Sequence, residues 1–238
     1  MLTVIIPTLN EAANLNHLLP ALLGISPVPE IVVADGGSSD ATLEIVRRFP
    51  RVKLVLAPRG RARQMNAGAR AARGEILLFL HADTALPPGG PEAATEALRT
   101  PEVVGGRFDV RFDSTRPIFS LIATMMNARS RLSGIATGDQ AIFVRRPIYD
   151  ALGGFPDIPL MEDVEFSRRL KRQGRLACLT LRVTTSARKW QREGAVRTIL
   201  LMWTLRFLHF AGVQPARLHR WYYGDSTDAN RSDRLPTD

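Results

Sequence analysis

The chain has 238 residues, 45% hydrophobic and 23% charged, ordinary values for a folded domain that buries its own core. A single cysteine, Cys178, excludes an internal disulfide and fits a reducing compartment; its neighbours Leu176, Ala177, Leu179 and Leu181 read as core. The formal charge of +9 asks for an anionic partner, which leaves nucleic acid, an anionic membrane face or a phosphorylated substrate.

The first half alternates strand and helix signals. Residues 2–7 form a short apolar run suited to a buried strand, and 11–23 have helical spacing with Asn10 as the expected N-cap. A second buried strand at 31–34 ends in Asp35-Gly36-Gly37, and Ser39 or Asp40 is placed to cap a helix running through Phe49. A third strand is expected at 52–56 and an Ala-rich helix at 61–73 with Gly74 as its C-cap. A fourth strand at 75–80 leads into His81-Ala82-Asp83. This alternation predicts a parallel sheet with right-handed crossovers, whose ligands sit beyond the carboxyl ends of the strands. Polar clusters at 8–11, 35–40 and 81–84 all fall at those ends.

The second half reads differently. Residues 103–112 alternate apolar and charged side chains, which predicts a half-exposed strand. Helices are expected at 118–132 and 162–173, with a loop and strand over 137–145 between them. A long apolar helix is expected at 195–212, with Ile199, Leu200, Trp203, Phe207, Phe210 and Ala211 on one face and Arg197, Arg206, Arg217 and Arg220 supplying cations nearby. After Tyr223 the sequence is polar and aperiodic, so 224–238 is expected to be a disordered tail beyond one domain over 1–223.

The N-terminus shows no basic lead, apolar stretch and cleavage site in succession, so no secretory signal is expected. No stretch reaches the roughly 18 uncharged apolar residues of a membrane span; the nearest candidate, 199–213, is interrupted by Arg206. These readings predict a cytoplasmic protein, with peripheral contact at an anionic membrane face as an option for the apolar helix. Zinc-finger spacing, an RNA-binding signature and a persuasive helix-turn-helix are missing, so nucleic acid is not an expected partner.

Four segments carry chemistry. Glycines after Asp35 let a ligand approach the backbone, and Asp35 is an acceptor at a strand end; a turn with a helix cap is the competing reading. Asp83, at the end of an apolar strand, is placed to hold Mg²⁺ or Mn²⁺ against a diphosphate, although a lone acid also caps turns. Glu162 and Asp163 open a helix, where acids suit the dipole, and one of them is placed to act as a general base. Arg61 and Arg63 open another helix and have the charge to neutralise phosphate, or to form a solvated basic face.

In order along the chain, Val4-Ile5-Ile6-Pro7-Thr8-Leu9-Asn10-Glu11, the 35–42 segment, Asn66-Ala67-Gly68, His81-Ala82-Asp83-Thr84, Gly138-Asp139-Gln140 and Glu162-Asp163 resemble the motifs of family 2 glycosyltransferases. The resemblance spans roughly residues 2–175 and implies an α/β GT-A fold: a mostly parallel central sheet flanked by helices. It also implies a nucleotide-diphosphate sugar donor, a divalent metal, and inversion at the anomeric carbon on transfer to a hydroxyl acceptor, a lipid-linked one being a candidate. By position, Pro7, Thr8, Asn10, Glu11, Asp35, Gly36, Arg61, Arg63, Asn66 and Ala82 are implied at the donor. Asp83 with His81 is implied at the metal, Gly138, Asp139 and Gln140 at the acceptor, and Asp163, before Glu162, as the base.

There are two departures. His81 stands where the family's DxD motif has its first aspartate, and imidazole shifts preference from Mg²⁺ toward Mn²⁺. Met65 stands where an arginine is common. With Arg188-Lys189-Trp190, the pattern resembles a small bacterial branch of the family. Three alternatives remain open: a nucleotide-sugar-binding protein without catalysis, a sugar nucleotidyltransferase, although Pro7-Thr8-Leu9-Asn10-Glu11 lacks the glycine-rich basic loop of such an enzyme, and, third, a nucleic-acid-binding module that the charge alone would permit.

Overall fold

The computed structural model describes residues 1–223; the expected tail over 224–238 lies outside the described residues. The first half is built as β1 (Leu2–Thr8), α1 (Ala12–Leu23), β2 (Glu30–Asp35), α2 (Thr42–Arg47), β3 (Val52–Leu56), α3 (Arg61–Ala71) and β4 (Ile76–Phe79). β5 (Thr84–Ala85), α4 (Gly90–Ala97), β6 (Val103–Phe112), α5 (Pro117–Ser133), a 3-10 turn at Gly138–Gln140, β7 (Phe143–Arg145) and α6 (Arg146–Ala151) follow. The chain continues through α7 (Glu162–Leu170), β8 (Arg175–Thr185), α8 (Arg188–Glu193), α9 (Ala195–Phe210) and α10 (Pro215–Tyr223).

One sheet runs in the order β3-β2-β1-β4-β7-β6-β8-β5. The first four strands are mutually parallel, β7 is antiparallel to both its neighbours, and β6 and β8 are again parallel. The period-two alternation of a strand splits each apolar run between two faces. Val4, Ile6, Val33 and Leu78 meet Leu15, Leu19 and Leu22 of α1 on one side. Ile5, Val32, Leu77 and Phe79 meet Ala62, Met65 and Ala69 of α3 on the other. Leu15 and Leu19 are fully buried, so truncating either to alanine costs about 2–5 kcal/mol. At Gly68 an added Cβ would lie 2.5 Å from Ile5 Cγ2, so the glycine is what lets α3 lie directly on β1.

Several local expectations are corrected. Asn10 is not the N-cap of α1: it has φ +56°, and its side chain accepts from Ser39 N–H instead. The open N–H groups at the start of α1 go to residues from the next loop, Glu11 N to Thr42 Oγ1 and Ala12 N to Asp40 Oδ2. Asp40 Oδ1 also accepts from Thr42 N, so one carboxylate ties two helix starts together. Gly74 does not cap α3, which ends at Ala71; a Cβ there would stand 2.5 Å from Thr3 Oγ1, so close approach to β1 explains it. β6 is not half-exposed. Every position except Arg111 is buried, because β7 and β8 flank it and α5 packs on it. Its buried charges are paired internally, Arg107 with Asp109, which Arg131 reaches at 2.7 Å. Cys178 is half-buried rather than core.

Candidate active site

The carboxyl ends of β1, β2 and β4 lie together, as Thr8 pairs with Asp35 and Ile5 with Phe79. Gln64 of α3 donates to the carbonyls of both Thr8 and Ala34, which closes the seam beyond the strands. A Cβ on Gly36 would sit 2.8 Å from Gln64 Nε2, so glycine is required there for packing. Asp35 is fully buried and its carboxylate is used by its own turn: Oδ2 accepts from Gly37 N and Ser38 N, both at 2.9 Å, and Oδ1 from Ser38 Oγ. Asp35 therefore shapes the loop, and a base must meet that loop's surface before it can meet the carboxylate.

A cavity of about 250 Å³ opens beside these strand ends. Pro7 and Glu11 line it from the β1 loop, Arg61 from α3, His81, Ala82 and Asp83 from beyond β4, and Gly138, Asp139, Glu162 and Asp163 from the second half. Glu11 accepts from Asn14 Nδ2 at 2.6 Å, yet its carboxyl is raised above the usual range, by burial first and by the like charge of Asp83 among the other causes. Glu11 and Asp83 thus form an acidic corner that a cation would relieve.

In the same cavity the 3-10 turn meets α7. Gly138 N donates to Asp163 Oδ2 at 2.7 Å, and His81 Nδ1 lies 3.3 Å from Asp139 Oδ1. His81 Nε2 is buried without a partner against Gly138, where a Cβ would stand 2.3 Å from it. Glu162 is buried and 3.6 Å from Arg61 Nη1. Burial, and then the charge of Asp163, pushes the Glu162 carboxyl above its usual range, with Arg61 opposing. Asp163 is less buried, lines the cavity and sits in the first turn of α7.

Not every expected residue reaches the cavity. Thr8 is buried behind Pro7 with its hydroxyl turned toward Ala34 and Asp35. Asn10 lies exposed in the loop contact with Ser38 and Ser39. Arg63 points away from Arg61 and pairs with exposed Asp157 at 2.8 Å. Asn66 clamps a loop, accepting from Tyr149 Oη and Phe155 N and donating to Phe155 O. Gln140 is fully buried and closes its own turn by accepting from Thr137 N. Sequence reasoning missed Trp190 and three residues of α9, Thr198, Met202 and Arg206, which line the cavity. Arg206 Nε is buried there without a hydrogen-bond partner. An arginine interrupting the apolar run of α9 was the available signal for an inward-facing charge.

Among the described residues, no three His, Cys, Asp or Glu side chains converge to hold a metal by themselves. An ion bridging a diphosphate needs only one or two protein carboxylates, and the exposed Asp83 beside Glu11 suits that arrangement. His81 suits it less, with Nδ1 toward Asp139 and Nε2 against Gly138.

A family model described as glycosyl transferase family 2 matches residues 3–152. The chain belongs to glycosyl transferase family 2. A probable glycosyltransferase of Bacillus subtilis, YdaM, is 27% identical over 217 residues, covering 80% of this chain and 50% of its own length. An uncharacterized Nostoc glycosyltransferase is 31% identical over 111 residues, 44% of this chain and 34% of its own. Staphylococcus aureus TarS 1-349 matches with a TM-score of 0.63 at 18% identity, over 78% of this chain and 60% of that one. The mannosyltransferase PcManGT of Pyrobaculum calidifontis, in complex with GDP-Man and Mn2+, matches at 0.60 and 27% identity, over 77% of this chain and 56% of its own. The fold of this family 2 chain is GT-A. The chain spans about a third to a half of the length of these two curated relatives.

Proposed function

We propose that this chain, as one GT-A unit over residues 1–223, transfers a sugar with inversion from a nucleotide diphosphate donor to a hydroxyl acceptor. The reading is carried by the cavity at the carboxyl ends of β1 and β4, which Glu11, Asp83 and Asp163 line together with Arg61 and Arg206. Family membership favours transfer over nucleotide-sugar synthesis.

The diphosphate is taken to lie by Asp83, with Arg61 and Arg206 offsetting its charge. Asp83, with Glu11 nearby, is the residue to hold Mn²⁺ or Mg²⁺; such an ion supplies charge neutralisation for the departing diphosphate. Asp163, oriented by the N–H of Gly138, accepts the acceptor hydroxyl's proton. The acceptor oxygen then bonds to the anomeric carbon as that carbon's bond to the phosphate oxygen breaks, and the nucleoside diphosphate leaves. One displacement from the opposite face inverts the centre. Glu162 is held against Arg61, which suits it to positioning Arg61.

The test is nucleoside diphosphate release from a panel of donors and hydroxyl acceptors. Asp163→Asn should lower turnover by about 10²–10⁴ with donor affinity nearly intact. Asp83→Ala should abolish Mn²⁺-dependent donor binding. Full activity in excess chelator, or normal turnover by Asp163→Asn, would overturn these assignments.

A further inference from the structure

α9 has three faces with different employment. Thr198, Met202 and Arg206, spaced four apart, line the cavity. Leu201, Leu205 and Leu208 pack with Met161 and Val164 at the start of α7, directly beside Glu162 and Asp163. The remaining stripe is uncovered: Leu200, Trp203, Phe207 and Phe210 recur at helical spacing and are 56–71% exposed. Trp221 of α10 adds a further exposed aromatic at 63%. Scattered surface leucines need no explanation, but a continuous stripe of this size on one element does.

The charge around the stripe selects what covers it. From Gly194 to Tyr223 the sequence holds Arg197, Arg206, Arg217 and Arg220 and not one aspartate or glutamate. Arg217 and Arg220 are exposed on α10, the helix that carries Trp221. A second copy would bring the same cations against these and repel. An anionic bilayer offers the complement on both counts, acyl chains for the aromatics and headgroups for Arg217 and Arg220. No described helix is long and apolar enough to cross a membrane, so the contact is one of lying on the surface.

We propose that α9 and α10 form a docking surface for an anionic lipid bilayer, seating Leu200, Trp203, Phe207, Phe210 and Trp221 at the interface. Because an adjoining face of α9 lines the cavity, docking brings the transfer site to the membrane, where a lipid-borne acceptor hydroxyl is at hand. This last step rests on the proposed transferase reading; the docking does not.

Vesicle flotation of the full chain tests the docking without any turnover, and donor affinity measured in solution on the same preparation reports the transferase reading separately. The protein should float with vesicles containing phosphatidylglycerol at low salt and remain mostly unbound with pure phosphatidylcholine. Trp203→Glu/Phe207→Glu should reduce the floated fraction by about tenfold or more while melting normally. Should that variant fold poorly, brominated lipids decide on the wild type: two of its three tryptophans, Trp203 and Trp221, are exposed on the stripe, so emission should be quenched by anionic brominated vesicles. Absence of both flotation and quenching, equal binding to neutral and anionic vesicles, or a dimer in solution that Phe207→Glu dissociates would each overturn the proposal.

Discussion

Gly138 is where the 3-10 turn, His81 and Asp163 meet, and Gly138→Ala tests whether that contact holds the site together. The new Cβ would lie 2.3 Å from His81 Nε2 and 2.5 Å from Cε1, whereas comfortable contact is about 3.5–4 Å. The imidazole has little room to retreat, since its side chain is 15% exposed and faces Asp139 at 3.3 Å. The turn or the ring must therefore shift by about 1 Å, an overpacking that costs about 1–3 kcal/mol. In a domain of this size each kcal/mol moves the midpoint by about 2–4 °C, so Tm should fall by roughly 2–12 °C. Moving the turn also draws Gly138 N away from Asp163, now at 2.7 Å, and displacement of a base by about 1 Å can lower turnover by about 10². Differential scanning fluorimetry and nucleotide release measure the two effects. Adding His81→Ala removes the clashing ring, so the double variant should lose less than the sum of the singles, with an interaction of about 0.5–3 kcal/mol. Wild-type melting by Gly138→Ala, or strictly additive losses, would refute the steric argument.

Other expectations follow from the same geometry. The Glu162 carboxyl is raised above its ordinary value of 4.5, so the folded state holds its proton more tightly than the unfolded chain and stability falls as pH climbs from about 4.5 through the folded value. Glu162→Gln cannot ionise and should raise Tm relative to wild type more at about pH 7 than at about pH 4; equal differences at both would rule out the penalty. Arg61→Ala should weaken nucleoside diphosphate binding by about tenfold or more, a charged hydrogen bond's worth. Arg63→Ala should leave that binding unchanged in calorimetry, because its guanidinium is held by Asp157; equal losses would mean that both arginines reach the donor. Asp35→Ala should lower Tm and donor affinity together, since it unties the Gly37–Ser38 N–H groups, whereas weaker binding at unchanged Tm would point to a direct contact.

Legibility in the sequence followed the kind of element. β1, β2 and β4 were readable because a strand buried on both faces is a short apolar run punctuated by turn residues, and β3, at the sheet edge with only Val52 buried, because its run is still apolar apart from Lys53; each run is local. β8 was not readable. Its stretch from Arg175 to Thr185 mixes Leu176, Cys178 and Val183 with Arg175, Thr180 and Arg182, and it becomes a strand by pairing with β6, far away in sequence. The same distant pairing buries Arg107 and Asp109, whose alternation with apolar neighbours had the form of an exposed face. Asn10 misled for a similar reason: the groups that satisfy the start of α1 are Asp40 and Thr42, which no local capping rule looks for.

The sequence by itself determined the order of strands and helices in the first half, the edge of the sheet at which polar residues gather, and the chemical types available there, because periodicity and turn residues act over a few positions. Tertiary structure decided which of those residues face the cavity. Arg61 and Arg63 are two positions apart on α3, yet about 200° of helix rotation separates them. How α3 packs on β1 and β2 sends one toward Glu162 and the other to Asp157. Likewise Arg206 reads as a flaw in an apolar helix until α9 is laid across α7, which turns it into the cavity and leaves Trp203 and Phe207 outside.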